Sequence, residues 1–316
     1  MERIAWALLN RLVGMLIVLA LVVTVVFIIV RVTPGDPAAV MLGSDATPQD
    51  IADLRARMGL DAPILIQYAH FIMGIFQGDL GQSIFLNQPV TTALASRAEP
   101  TFFLTLFSIL IAVAIALPVG ILSAVKRGTI FDQSVVTLTM IAASIPSFWL
   151  GLILIQTLAV GMGWFPASGY GGPDASFFDR LQHLVLPALA LGIVNSALIT
   201  RFTRAAMLDV LSDDYVRTAR AKGARERRVI LKHAFKNALV PIITVIGLSI
   251  AMLVAGAVVT ETVFGLPGIG NLVVSAVLRR DYPVIQGTLL VVAAIYVLIN
   301  FAVDLLYILV DPRVKL

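Results

Sequence analysis

The chain has no cysteine, which removes disulfides and thiolate metal ligands together. It is also poor in charge. Asp, Glu, Lys and Arg make up 13% of its 316 residues, against about 25% in a soluble domain. With 59% hydrophobic residues, that shortfall places the chain in the membrane class. The histidines are His70, His183 and His233; they are scattered, with no His-Glu-x-x-His, which argues against a zinc protease. Ser144 and Ser147 flank Pro146 without an obvious base, which argues against an intramembrane serine hydrolase. No Lys is followed by Ser or Thr, so the phosphate-cradling Gly-x-x-x-x-Gly-Lys-[Ser/Thr] loop is missing. The small excess of Lys and Arg over acids (23 against 19) is read as a topology signal before nucleic acid is considered.

What is present is a set of long uncharged runs. A bilayer needs about 20 apolar residues per helix. Six stretches qualify: Leu12–Val30, Thr101–Val125, a core within Gln133–Val160, Leu181–Thr200, Asn237–Thr260 and Tyr282–Val303. The expected fold is therefore an all-α polytopic membrane protein with six transmembrane helices. The first run follows Arg3 and Arg11 but is too long for a signal peptide and lacks a small-residue cleavage site, so it reads as a retained anchor. With the N-terminus in the cytoplasm, 16 of the 23 Lys and Arg fall in cytoplasmic segments. The bias predicts both termini inside. Pro118, Pro146, Pro187 and Pro241 lie in the spans and predict a bundle that bends.

Three regions follow: an anchor helix over residues 1–33, an outer cap segment over 34–98, and a transmembrane core over 99–307. The cap opens on the turn-forming cluster Thr33-Pro-Gly-Asp-Pro37. Thr47-Pro-Gln-Asp50 then reads as a helix start, with Thr47 as N-cap and Asp50 at N3. Ile51, Leu54 and Met58 carry helical spacing, and Gly59 is a stop signal.

The most unusual connection runs from Ser212 to Asn237, between the fourth and fifth spans, inside a stretch holding ten Lys and Arg between Arg201 and Lys236. Ser212 is expected to cap a short helix whose first turn holds Asp213 and Asp214. Tyr215, Val216 and Ala219 share a face of that helix, and Gly223 ends it. A second amphipathic stretch is expected to gather Leu231, Ala234, Phe235 and Ala238 on one side. Two short helices meeting at a glycine make a solvent-facing knob suited to a partner's groove. Orientation alone needs only two or three charges.

The segment Asp214-Tyr-Val-Arg-Thr-Ala-Arg-Ala-Lys-Gly223, followed by His233-Ala-Phe-Lys-Asn-Ala-Leu-Val-Pro241, resembles the coupling motif of ABC importer permeases in the dipeptide, oligopeptide and nickel family. Aligned on Gly223, only Ala219 of the general Glu-Ala-Ala is kept. Ser144-Ile-Pro-Ser-Phe148, Glu261-Thr-Val-Phe-Gly-Leu-Pro-Gly-Ile-Gly270 and Asp311-Pro-Arg313 are similar to stretches of the first permease subunit of such systems. The resemblance implies the type I ABC importer permease fold in a bacterial inner membrane. It implies a second homologous permease, giving a heterodimer, two cytoplasmic ATPase subunits that bind ATP and Mg, and an extracytoplasmic solute-binding protein. No cofactor is expected in this chain. Tyr215, Ala219, Gly223, Ala224, Arg227 and Arg228 are the expected ATPase-coupling residues. Glu261, Phe264, Gly265 and Pro267 are expected at the outer mouth or along the translocation path, or against the docked receptor. His183 is expected to be a satisfied interface histidine. Asp304, an acid within the last span, is a functional candidate; the alternative is that near the cytoplasmic end it reaches water or pairs with an Arg. A self-contained, ion-driven secondary transporter is the alternative; it calls for intramembrane acids or unwound helices at the midplane, and these spans are nearly charge-free.

Overall fold

The computed structural model describes residues 2–32, 36–43, 46–57, 59–83, 85–172 and 174–310. Thr33, Pro34, Gly35, Met58 and the motif Asp311-Pro312-Arg313 lie outside the described residues. The chain divides into two compact units, one of residues 1–99 with 267–298, the other of residues 100–266 with 299–316.

In the first unit, α1 (Glu2–Val32) is held near its end by α4 (Ile64–Gln77). Thr24 Oγ1 and Tyr68 OH share a 2.6 Å hydrogen bond. Phe27 packs edge-on against Tyr68 with ring centroids 5.1 Å apart, and the Arg31 guanidinium lies 4.0 Å over the Phe27 ring. Two short helices, α2 (Pro37–Leu42) and α3 (Pro48–Arg57), come between. The expected cap at Thr47 is present. Asp50 N–H donates to Thr47 Oγ1 at 3.2 Å, and Thr47 N–H and Oγ1–H donate back to the Asp50 carboxylate at 3.1 and 2.6 Å. These bonds satisfy free donors at the helix start and hold the Asp50 carboxyl below its ordinary range. Gly59 turns the chain at φ +65°, as the stop signal predicts.

A small hairpin, β1 (Gln82–Ser83) against β2 (Gln88–Pro89), adds a short non-helical element to the all-α fold. It is two residues deep and turns through Asn87 at φ +50°, one of the few residue types that tolerates that region. The amphipathic helix α12 (Ile269–Arg279) buries Ile269, Leu272 and Ala276 with Val90, Ala93, Leu94 and Val284.

The second unit is built around α8 (Phe177–Leu211), which packs against α6 (Ile130–Ser144), α7 (Ser147–Leu154) and α11 (Phe235–Val263). Its core joins Leu104, Ala112 and Ala116 to Leu184, Leu191, Ile199, Leu253 and Phe264. Glycines set how near α8 comes to α5 (Val90–Val125). A Cβ on Gly120 would stand 2.8 Å from Thr203 Cβ and 2.9 Å from the Thr200 carbonyl oxygen; one on Gly192 would stand 2.9 Å from the Ser108 carbonyl oxygen. The contact is reciprocal, a small residue on each helix facing the other's backbone, as helices in lipid favour.

Among the described residues, five helices of 22 to 38 residues are long and apolar enough to cross a membrane. The expected third span is not one rod. It breaks between α6 and α7 at a 94° bend, then continues as a π-helix over Ile155–Gly161. Pro146 has no N–H to continue the α6 ladder, and its ring pushes Ile145 into an extended conformation at φ −88°, ψ 124°. Pro118, Pro187 and Pro241, by contrast, sit inside unbroken helices. The outward surfaces carry many large apolar side chains, among them Leu16, Leu21, Leu138, Met252 and Leu298. In water such a surface would be a liability; in lipid it is the required one.

Candidate functional site

The basic connection begins later than the hydropathy suggests. α8 runs on to Leu211, because Arg201, Arg204 and Asp209 end the apolar run without ending a helix. Ser212 closes α8: its hydroxyl donates to the Asp209 carbonyl at 2.7 Å. The expectation that Ser212 caps the next helix is therefore corrected; Asp213, extended at φ −67°, ψ 147°, takes the N-cap position of α9 (Asp214–Ala221). Asp214 lies in the first turn and Arg220 in the last, both matched to the helix dipole.

Gly223 ends α9 in the left-handed region at φ +77°. Its N–H reaches the Arg220 carbonyl at 2.9 Å, and the Ala224 N–H reaches the Ala219 carbonyl at 3.2 Å. This is the Schellman arrangement, which an L side chain would strain. Across the turn Arg220 binds Glu226 with both nitrogens, at 2.7 and 3.2 Å, and the carboxylate raises the Arg220 pKa. The chain resumes as one turn, α10 (Glu226–Arg228), and a π-helix over Val229–Ala234, and then enters α11.

The underside of this knob is apolar. Val216, Val229, Ala234 and Ala238 are all fully buried, and Ala234 and Ala238 pack with Met207 and Ile242. The second amphipathic helix is not formed as expected. Leu231 is exposed while Ala234 and Ala238 are buried, because the wider π-helical turn shifts the phase of the side chains. Tyr215 bridges the two halves: its hydroxyl donates to the His233 carbonyl at 3.4 Å and accepts from Asn237 Nδ2 at 2.8 Å. Of the six expected coupling residues, Tyr215, Gly223, Arg227 and Arg228 are exposed, and Ala219 and Ala224 are half-buried. All six lie on the knob. Val216, placed by sequence on a face with Tyr215 and Ala219 but not counted among the coupling residues, is the buried anchor beneath them, while Tyr215 is exposed.

A pair that the sequence hid joins α6 to α8. Asp132 is buried and accepts four hydrogen bonds: from Ser123 Oγ at 2.5 Å, Gly128 N at 3.0 Å, and Arg204 Nε and Nη2 at 2.6 and 2.7 Å. One carboxylate thus ties the end of α5 and the start of α6 to α8.

The second expected group is split by burial. Glu261 is fully buried in this chain and accepts from Thr101 Oγ1 at 2.6 Å. Phe264 is buried over Gly151, where a Cβ would come within 2.8 Å of its ring, and its carbonyl accepts from Gly169 N–H at 2.8 Å. Gly265, at φ +60°, follows Phe264, the C-cap of α11, and is exposed. Pro267 is half-buried and opens the return stretch of the other unit. His183 Nδ1 pairs with the Ser168 carbonyl at 3.1 Å, the satisfied role expected of it. Asp304 is half-buried. Among the described residues, no group of three or more His, Asp or Glu could hold a metal ion.

Long apolar helices joined through a basic connection mark a multi-pass membrane protein. The family described as binding-protein-dependent transport system inner membrane component matches residues 116–316, and its N-terminal companion matches residues 4–104. The chain belongs to this family of inner-membrane permeases. It is 43% identical over 307 residues to the Sinorhizobium fredii protein named "Probable peptide ABC transporter permease protein y4tP", covering 97% of this chain and 98% of that one. It is 42% identical over 313 residues to the dipeptide transport system permease protein DppB of Escherichia coli, covering 92% of each. It is 42% identical over 307 residues to the glutathione transport system permease protein GsiC of Salmonella typhimurium, covering 97% of this chain and 98% of that one. Among solved structures, the methionine ABC transporter MetNI in an inward-facing conformation shares the fold, with a TM-score of 0.57 at 23% identity over 69% of this chain and 96% of that one.

Proposed function

We propose that the chain is the permease subunit through which an ATP-driven, binding-protein-dependent importer moves peptides across the inner membrane by alternating access. The observation that carries this is the knob itself, a capped, glycine-turned basic element with a packed apolar underside, on a chain whose relatives are named for peptide, dipeptide and glutathione transport. Both termini and the knob lie in the cytoplasm, as the Lys and Arg bias supports. There the knob docks into one of two ATPase subunits through Tyr215, Ala219, Gly223, Ala224, Arg227 and Arg228. ATP and Mg bind in those subunits, and the chain itself takes no cofactor. A second, homologous permease completes a heterodimeric membrane core, and a solute-binding protein delivers peptide from outside. Residues 1–33 anchor the chain, 34–98 cap its outer face and 99–307 form the transport core. Glu261, Phe264, Gly265 and Pro267 shape the outer mouth. The burial of Glu261 and Phe264 supports a bracing role for those two.

Reconstitution tests this reading. Proteoliposomes holding both permeases, both ATPases and the receptor are expected to accumulate a labelled dipeptide only with ATP. Uptake by this chain alone under an ion gradient, with no ATPase added, would contradict it.

A further inference from the structure

The first unit holds a cavity of about 130 Å³ that the transport reading has not used. Its walls come from the connection that leads into the second span through the start of α5 (Phe85, Arg97) and the one between the last two spans (Leu272, Arg279, Asp281). Those two connections are on the same side of any six-span chain, the outer side in the orientation proposed above.

Its polar groups are mismatched in an informative way. Asp281 is 3% exposed. One of its carboxylate oxygens accepts from Ser83 Oγ at 2.5 Å; the other, Oδ1, is buried with no hydrogen-bond partner among the described residues. A buried acceptor left unpaired is costly, and a carboxylate more so. Arg97 also lines the cavity, half-buried, with no ion-pair partner among the described residues. Arg279 lies 5.9 Å over the Phe85 ring at the rim. The remaining floor is apolar, from Leu272, Ala276 and Val284.

Single-sign ligands fit this set poorly. A metal cation would meet one carboxylate and two guanidinium groups. A phosphate would meet an unpaired carboxylate. A ligand with both signs a residue or two apart satisfies each group. We propose that this cavity receives the termini of a short peptide on the outer side, with the α-ammonium on Asp281, the α-carboxylate on Arg97 and Arg279, and an aliphatic side chain on the Leu272–Val284 floor. The volume is many times the roughly 10–15 Å³ that admits one water. The site deepens the peptide reading and rests on it.

The test uses the assembled transporter in nanodiscs without its receptor and measures equilibrium binding of labelled alanyl-alanine. Alanyl-alanine is expected to bind, with the N-acetylated dipeptide and the dipeptide amide each weaker by about tenfold or more, since each loses a hydrogen bond between charged groups. Asp281→Asn is expected to erase the preference for a free ammonium. Arg97→Gln, at a half-buried residue with no ion pair to lose, is expected to reduce the preference for a free carboxylate. Equal binding of all three ligands overturns the proposal. So does a pair of variants that weaken receptor docking while leaving dipeptide binding unchanged, because the cavity would then be a protein contact. Receptor-dependent dipeptide uptake by the unaltered system separates the two levels: uptake without receptor-free binding sinks the cavity site alone, and no peptide uptake at all sinks the transport reading and the site with it.

Discussion

Replacing Asp132 by alanine is expected to cost about 3–5 kcal/mol, the penalty for removing one partner of a buried ion pair and stranding the other. Two donors beyond the pair, Ser123 Oγ and Gly128 N–H, raise the stakes. Ser123 Oγ, Gly128 N–H and the Arg204 fork all aim at this carboxylate, and alanine leaves each unanswered. Arg204→Ala is expected to cost less, because its side chain keeps 25% of its exposure and Asp132 retains two other donors. The double variant is expected to fall well short of the sum, since the pair acts as a unit. Exchanging the charges, Asp132→Arg with Arg204→Asp, is not expected to restore stability, because Ser123 and Gly128 would then face a cation. Equilibrium unfolding in mixed micelles reads all four. Additive losses, or a loss below about 1 kcal/mol for Asp132→Ala, the range of an exposed pair, would remove the clamp from the account.

Val216→Asp is expected to abolish ATP-driven uptake while much of the chain still inserts in the membrane. Val216 is fully buried beneath the knob, and an unpaired carboxylate there is expelled or neutralised at high cost. The predicted result is a detached α9 and loss of ATPase co-purification. Tyr215→Phe is the graded control. It removes the hydroxyl that joins Asn237 and His233, worth about 1 kcal/mol, and is expected to weaken attachment without ending it. Normal co-purification and uptake in Val216→Asp would show that the knob does not transmit force.

The parts of this molecule that were legible in sequence are those set by local chemistry. The Thr47–Asp50 cap, the stop at Gly59 and the turn at Gly223 each depend on one or two residues whose conformational needs are fixed. Five of the six spans follow from apolar length alone. The sixth was half legible. Its hydropathy runs straight through Ser144–Pro146, and averaging cannot see that a pre-proline residue has left the helix, although Pro146 marked the place. Leu231 was misplaced because a 3.6-residue period was assumed where the helix is π. Asp132 and Arg204 stand 72 residues apart, so no periodicity could join them. Glu261 looked like a rim residue by its position at the end of a span, and only the fold reveals Thr101 beside it. The glycines of the α5–α8 contact were visible as glycines but not as partners.

The absence of cysteine makes the central claim directly measurable. Arg228→Cys places a single thiol on the exposed crest of the knob in an otherwise thiol-free chain. A membrane-impermeant maleimide is expected to label it in inside-out vesicles stripped of ATPase subunits, to miss it in intact spheroplasts, and to be blocked once the ATPases are added back. Labelling from outside the cell, or labelling inside that the ATPases leave unchanged, would mean that the basic connection is not where the motor meets the membrane.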